Sequence, residues 1–346
     1  MTTLAGVAAD RPLVPVVDLA APDAVTALDD AARRVGFLSV TGHGVADGVV
    51  TRMLEATAAF FALPLEVKAA LVPGRPEINR GYAAKGTEGL RYSLGQAAPA
   101  DLFEAFNIGP DDWPAGDPVR EAQRRGVFAP NLWPDHPGAA DLRPALVAYF
   151  EAVRALAHRL TALFDTALGL EPGFFAARTD HSTDVLRVNH YERGPGEPDP
   201  APGQQRMGAH TDYGIVTVLY ADPVPGLQII GPDGSWHDVI PIPGTFLVNL
   251  GDLLAEWTND RWRSTLHRVV PPTRTVTGPA RRRSVAFFHD GNYDARVECL
   301  PTCQSPDNPP RYPPVTAGEH ILAKLLGPRT MTPSSATSTA GDRPLG

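Results

Sequence analysis

Three side chains in the second half of the chain carry chemistry by type and spacing. His210-Thr211-Asp212 sets an imidazole and a carboxylate two residues apart. On a strand, residues i and i+2 point to one face, so both groups would aim at a common point. A second imidazole, His267, follows in Thr265-Leu266-His267-Arg268-Val269-Val270. Two histidines and one carboxylate on one face of an octahedron suit iron(II), and they leave three positions for substrate, cosubstrate and oxygen. Alone the pattern is weak. With ten histidines an H-x-D arises by chance, and a His–Asp pair on a strand commonly makes a structural hydrogen bond.

The elements around these residues are what could position them. Val14-Pro15-Val16-Val17-Asp18-Leu19 reads as an opening strand, with Pro15 placing it at a start or an edge. Asp23 is a candidate cap for a helix carrying Ala24, Val25, Leu28 and Ala31 on one side. Gly36–Val40 reads as a strand, and residues 46–71 as one helix. Residues 72–135, rich in Gly, Pro and charge, read as long functional loops with a short strand over Asp101–Phe106. Apolar residues every three or four positions predict a helix from Leu142 to Leu170, with Pro144 in its first turn and Gly169 at its end. Short apolar stretches then alternate with turns: Val185–Tyr191, Ile215–Tyr220, Leu227–Ile230, Phe246–Leu250, Val269–Val270 and Ser284–His289. That texture predicts a sandwich, jelly roll or barrel. The polar tail from Met331 is expected to be disordered.

Composition narrows the classes. The chain has 346 residues, 43% of them hydrophobic, enough for one large domain or two ordinary ones. A net charge of −8 argues against nucleic acid, which needs a basic face. Two cysteines, Cys299 and Cys303, are too few for a disulfide scaffold or a structural zinc site and are read as reduced thiols. No stretch approaches the roughly 20 apolar residues of a membrane span, and the first residues lack a signal-peptide pattern. A cytoplasmic protein without a membrane partner is expected. No H-E-x-x-H, G-x-S-x-G or P-loop occurs.

The wider context of the triplet is specific. His210-Thr-Asp212-Tyr213-Gly214 is followed by Pro225-Gly226-Leu227-Gln228, Asn249-Leu250-Gly251-Asp252, Trp257 to Val269, and Arg282-Arg283-Ser284-Val285-Ala286-Phe287-Phe288. Upstream lie Val14-Pro-Val-Val-Asp-Leu19, Gly36-Phe37 to His43-Gly44-Val45, and Leu63-Pro64-Leu65-Glu66-Val67-Lys68. Tyr312-Pro313-Pro314-Val315 lies near the end. In these segments, from about Val14 to about Leu326, the chain resembles the 2-oxoglutarate- and iron(II)-dependent dioxygenases of the isopenicillin N synthase-like branch.

The resemblance implies a mainly β protein with flanking α-helices, its core a double-stranded β-helix (a jelly roll, cupin-like). It implies an N-terminal region over 1–140, a long helix plus catalytic core over 141–330, and a tail over 331–346. His210, Asp212 and His267 fall on the family's Fe(II) positions, and Arg282 and Ser284 on its R-x-S motif for the distal carboxylate of 2-oxoglutarate. The planar fork of arginine suits that carboxylate. Tyr191 and Asn189 fall where cosubstrate contacts lie. Phe288, Tyr213, Arg187 and Phe106 are candidates to face substrate; the bland reading of Arg187 is a salt bridge on the sheet. His190, one residue along, points away.

The implied reaction is oxidation of a C–H bond of a small organic substrate with O2, giving succinate and CO2. Hydroxylation, desaturation and cyclisation remain open, as do the substrate and the oligomeric state. Secondary metabolism is the expected setting. Two alternatives stand beside this reading: an iron(II) oxidase of the isopenicillin N synthase type that uses no 2-oxoglutarate, and a non-catalytic ligand-binding member of the fold.

Overall fold

The computed structural model describes residues 12–330, apart from 112–115, 117, 124–125, 194–196, 198 and 273–280. The disorder expected after Met331 lies outside the described residues. Fourteen strands are described. The first seven are β1 (Val16–Asp18), β2 (Phe37–Thr41), β3 (Gly81–Ala83), β4 (Glu104–Ile108), β5 (Val185–Tyr191), β6 (Met207–His210) and β7 (Val216–Ala221). The rest are β8 (Leu227–Ile230), β9 (Trp236–Asp238), β10 (Phe246–Leu250), β11 (His267–Val269), β12 (Arg282–His289), β13 (Arg296–Val297) and β14 (Val315–Thr316). The helices are α1 (Ala24–Arg34), α2 (Asp47–Phe61), α3 (Leu65–Ala69), α4 (Pro118–Gln123), α5 (Leu142–Leu168), α6 (Asp252–Trp257) and α7 (Ala317–Thr330).

Eight strands form a large sheet in the order β1-β2-β10-β7-β12-β5-β4-β3, and four form a small one, β6-β11-β8-β9. Only the β1–β2 pair of these sheets is parallel; the other pairings are antiparallel. The two sheets are the halves of a double-stranded β-helix, flanked by helices. The first 140 residues supply β1 to β4, so they extend the large sheet at both edges.

Strand parity divides the large sheet into two faces. Val285 and Phe287 of β12, Leu186 and Val188 of β5, and Val216 and Val218 of β7 join one core with α5. There Phe287 meets Phe150 edge-on at 5.0 Å. The alternate residues face the small sheet, where Phe37, Ala105, Tyr191 and Leu247 pack with Met207, Leu227, Ile229 and Val269. Long α5 forms because its apolar stripe recurs at helical spacing; it ends at Gly169, whose φ of 67° is left-handed and costs glycine little.

Several expectations needed correction. Residues 46–71 form two helices, not one, because Pro64 sits between α2 and α3. Asp23 precedes α1 but makes no side-chain cap bond. The strand expected over 101–106 begins later, at Glu104.

Candidate active site

A trough opens between the two sheets and is lined by the inward residues of β5, β7, β10 and β12. His210 ends β6, and His267 begins β11 directly opposite it in the antiparallel register. Asp212 lies past the end of β6, so the H-x-D segment is not the continuous strand that spacing implied. The donor atoms converge all the same. His210 Nε2 lies 3.8 Å from Asp212 Oδ1, and His267 Nε2 lies 3.7 Å from the same oxygen. The three ligand atoms fall within 4.8 Å of one another, and all three residues are buried.

Each group is aimed by its neighbours. His210 Nδ1 faces the Gly208 carbonyl at 2.7 Å, and His267 Nδ1 faces the Thr265 carbonyl at 3.1 Å. A ring nitrogen against a carbonyl must carry the proton, which leaves each Nε2 lone pair directed at the centre. Burial, and then the adjacent His267 ring, push the His210 imidazole down to about 4, so it is neutral at pH 7. Asp212 Oδ2 accepts from Thr217 Oγ1 at 2.5 Å and from Asn249 Nδ2 at 2.6 Å. The other oxygen, Oδ1, faces the histidines. Thr217 and Asn249 were not singled out individually from sequence, although Asn249 heads a segment that belongs to the resemblance.

Further along the trough lies Arg282, 1% exposed. Its guanidinium carbon stands 5.3 Å from the Tyr191 ring, and its Nε and Nη1 have no hydrogen-bond partner among the described residues. Burial of such a charge without an anion is costly, and here it depresses even the guanidinium pKa. A carboxylate from a ligand would satisfy it. Ser284 pairs in register with Asn189, and Asn189 Nδ2 approaches Ser284 Oγ at 3.4 Å. Tyr191 sends its hydroxyl toward Met207 Sδ at 3.6 Å. Arg206, beside Tyr191, is a further cation at this end that sequence reading missed.

The substrate candidates divide. Phe288, Tyr213 and Arg187 line the trough. Arg187 also makes the salt bridge foreseen for it, to Glu88 at 2.6 Å, and Glu88 is itself a trough residue. Phe106 does not reach the trough. It is 1% exposed on the helix-facing side, with its ring 4.7 Å from Phe60 and 6.0 Å from Trp133. Parity decides this: Ala105, its neighbour in β4, is the inward residue. His190 faces the helices too, bonded to Glu104 at 3.0 Å.

A jelly roll with a buried His-Asp-His triplet and an arginine lacking an anion in one trough is the arrangement a non-haem iron oxygenase needs. The family comparisons agree. The model of the 2OG-Fe(II) oxygenase superfamily matches residues 182–291, and that of the non-haem dioxygenase in morphine synthesis N-terminal region matches 14–136. A 2-oxoglutarate-Fe(II) type oxidoreductase of Emericella nidulans is 34% identical over 83% of this chain and 79% of its own. Validamycin A dioxygenase of Streptomyces hygroscopicus subsp. limoneus is 34% identical over 90% of this chain and 86% of its own. The crystal structure of a full-length Neurospora crassa protein in complex with alpha-KG and thymine superposes with a TM-score of 0.78 at 28% identity, covering 90% of this chain and 96% of that one.

The chain belongs to the 2-oxoglutarate- and iron(II)-dependent oxygenase superfamily. It is a dioxygenase that acts on a small organic substrate with Fe(II) and 2-oxoglutarate, which sets aside the alternative of an oxidase without 2-oxoglutarate and that of a non-catalytic binder.

Proposed function

We propose that His210, Asp212 and His267 hold the iron, and that Arg282 and Ser284 hold the far carboxylate of 2-oxoglutarate. Tyr191 would wall that subsite, and Asn189, also in the trough lining, would lie near the metal-binding end of the cosubstrate. The observation that carries the assignment is the buried guanidinium of Arg282, with two nitrogens unpartnered, in the same trough as the converged triplet. An arginine buried this way is matched by a two-oxygen anion from outside the chain.

Iron(II) and 2-oxoglutarate, when bound, supply the oxidation, with dioxygen consumed and succinate and CO2 released as a substrate C–H bond is oxidised. The residues do the rest. The Gly208 and Thr265 carbonyls hold the Nδ1 sides of His210 and His267, which turns each Nε2 toward the centre. Thr217 and Asn249 occupy Asp212 Oδ2, which favours one-oxygen ligation through Oδ1. Apolar walls such as Leu219, Leu227 and Phe288 keep water from the centre.

The same reading divides the chain at about residue 140, a division supported by the separate family match over 14–136. It sets the enzyme in the cytoplasm, in keeping with free Cys299 and Cys303, and in secondary metabolism. No helix among the described residues is long and apolar enough to cross a membrane.

The test is spectroscopic. Anaerobic addition of iron(II) and 2-oxoglutarate to the apoprotein is expected to give a weak visible charge-transfer band that His210→Ala abolishes. Iron binding without a band sinks the cosubstrate assignment; an unchanged band in His210→Ala sinks the ligand set.

A further inference from the structure

The trough has a second end, away from Arg282. Along β12 the inward residues run Arg282, Ser284, Ala286 and Phe288, and Asp290 follows just past the strand. The opposite strand β5 ends there with Val185, level with Phe288. Ile321 and Leu325 of α7, one helical turn apart, also line the trough. Most of this wall is apolar, which makes its one unmatched carboxyl conspicuous.

Asp290 is 5% exposed and lines the trough. Its backbone is spoken for: the amide donates to Asp184, and the carbonyl accepts from Ser182. Its carboxyl oxygens take no hydrogen bond and no ion pair from any described residue. The carboxyl rests against Gly214, where an added Cβ would come within 1.8 Å of Oδ1, so the absence of a side chain at that position makes its niche. Burial, then the charges of Asp184 and Asp212, push this carboxyl well above the usual range.

Glu88, the other acid that lines the trough outside the metal triplet, is bonded to Arg187. Asp290 has no such partner among the described residues, and a cation brought to it would favour the ionised form that burial disfavours. A carboxyl that opens into a reaction trough with no protein partner is free to take one from a ligand.

We propose that Asp290 is the substrate-recognition carboxyl of this oxygenase, and that the substrate presents to it a cationic nitrogen: a protonated amine, amidine or guanidine. The inference rests on the active-site reading given above. An ionic donor is favoured over a neutral N–H because a charge-assisted bond is roughly twice as strong and also supplies the missing counter-charge. The apolar wall from Val185, Phe288, Ile321 and Leu325 then takes the carbon body of that molecule, beside the metal triplet.

The experiment uses the full chain loaded anaerobically with iron(II) and 2-oxoglutarate. The probes are alkyl and cyclic amines and guanidines, each matched with its neutral hydroxyl or urea isostere. Binding is read by perturbation of the charge-transfer band and, independently, by the thermal midpoint. The expected result is at least tenfold tighter binding of the cationic members, lost in Asp290→Asn while the band itself is retained. Asp290→Ala repeats the reading if the amide variant folds poorly, and Asp290→Glu is expected to keep the preference at reduced affinity. Equal binding of both members, preference for the neutral ones, no cation bound, or a preference that survives Asp290→Asn overturns the proposal. A missing band in the wild type overturns the cosubstrate assignment instead, and the thermal midpoint still reads the amine preference.

Discussion

The two faces of the large sheet are made by the same strands and do opposite work. On the helix-facing side, β12 contributes Val285 and Phe287, β5 contributes Leu186 and Val188, and the neighbours are α5 side chains. On the inward side the same two strands contribute Arg282, Ser284, Asn189 and Arg187. Polar groups also occur on the helix side, where one cluster closes on itself. Glu104 accepts from Lys68 at 2.8 Å, from Tyr82 at 2.6 Å and faces His190 at 3.0 Å. On the inward side, Arg282 and Asp290 are left open. A buried polar group that the chain satisfies is architecture; one that the chain leaves unsatisfied in a cavity is a request for a ligand.

That contrast can be broken by measurement. Arg282→Ala is expected to weaken 2-oxoglutarate binding by on the order of 3–5 kcal/mol, roughly two to four decades in Kd, with little change in thermal midpoint. Titration of the charge-transfer band measures it, and an unchanged Kd would mean that the guanidinium serves the fold. Phe106→Ala, on the other face, is expected to cost about 3–5 kcal/mol of stability while cosubstrate affinity stays as it was. Denaturant unfolding beside the same titration checks this; altered ligand binding with intact stability would return Phe106 to the trough.

The smallest effect concerns acid. Burial would raise the Glu104 carboxyl, but its bonds with His190, Lys68 and Tyr82 outweigh burial and hold it down at about 2, against an ordinary 4.5. A depressed carboxylate stabilises above its unfolded value and loses that contribution as pH falls toward its folded one. Glu104→Gln is therefore expected to lower the thermal midpoint at neutral pH and to flatten its decline between about pH 4.5 and 2. A decline as steep as the wild type's would remove Glu104 from that role.

Much of this was legible in the chain. Val185–Tyr191, Leu227–Ile230 and Phe246–Leu250 were bounded by turns clearly enough to give the observed strands residue for residue. The triplet was legible as types, but its convergence was not a matter of one strand. Asp212 sits beyond β6, and its aim is set by Thr217 and Asn249 from two other strands. Phe106, offered as a substrate contact, packs on the helix side, and nothing local told which parity of β4 faced inward. Glu88 and Asp290 were invisible for a related reason. An unpaired or paired state is a property of three-dimensional neighbours, and both lie among residues that look like ordinary loop acids in the sequence.

The small sheet has one further consequence. His210 and His267 face each other across the β6–β11 pairing, whose register slips between His267 and Val269. An ion held by both would act as a rivet through a short and irregular seam. Ligand that binds only the folded state adds stability as its concentration rises, about 2.7 kcal/mol at a hundredfold excess over Kd. On the proposed assignment, the lifetime of the protein in a cell then follows its iron supply, and starvation for the metal would thin the enzyme population as well as idle it.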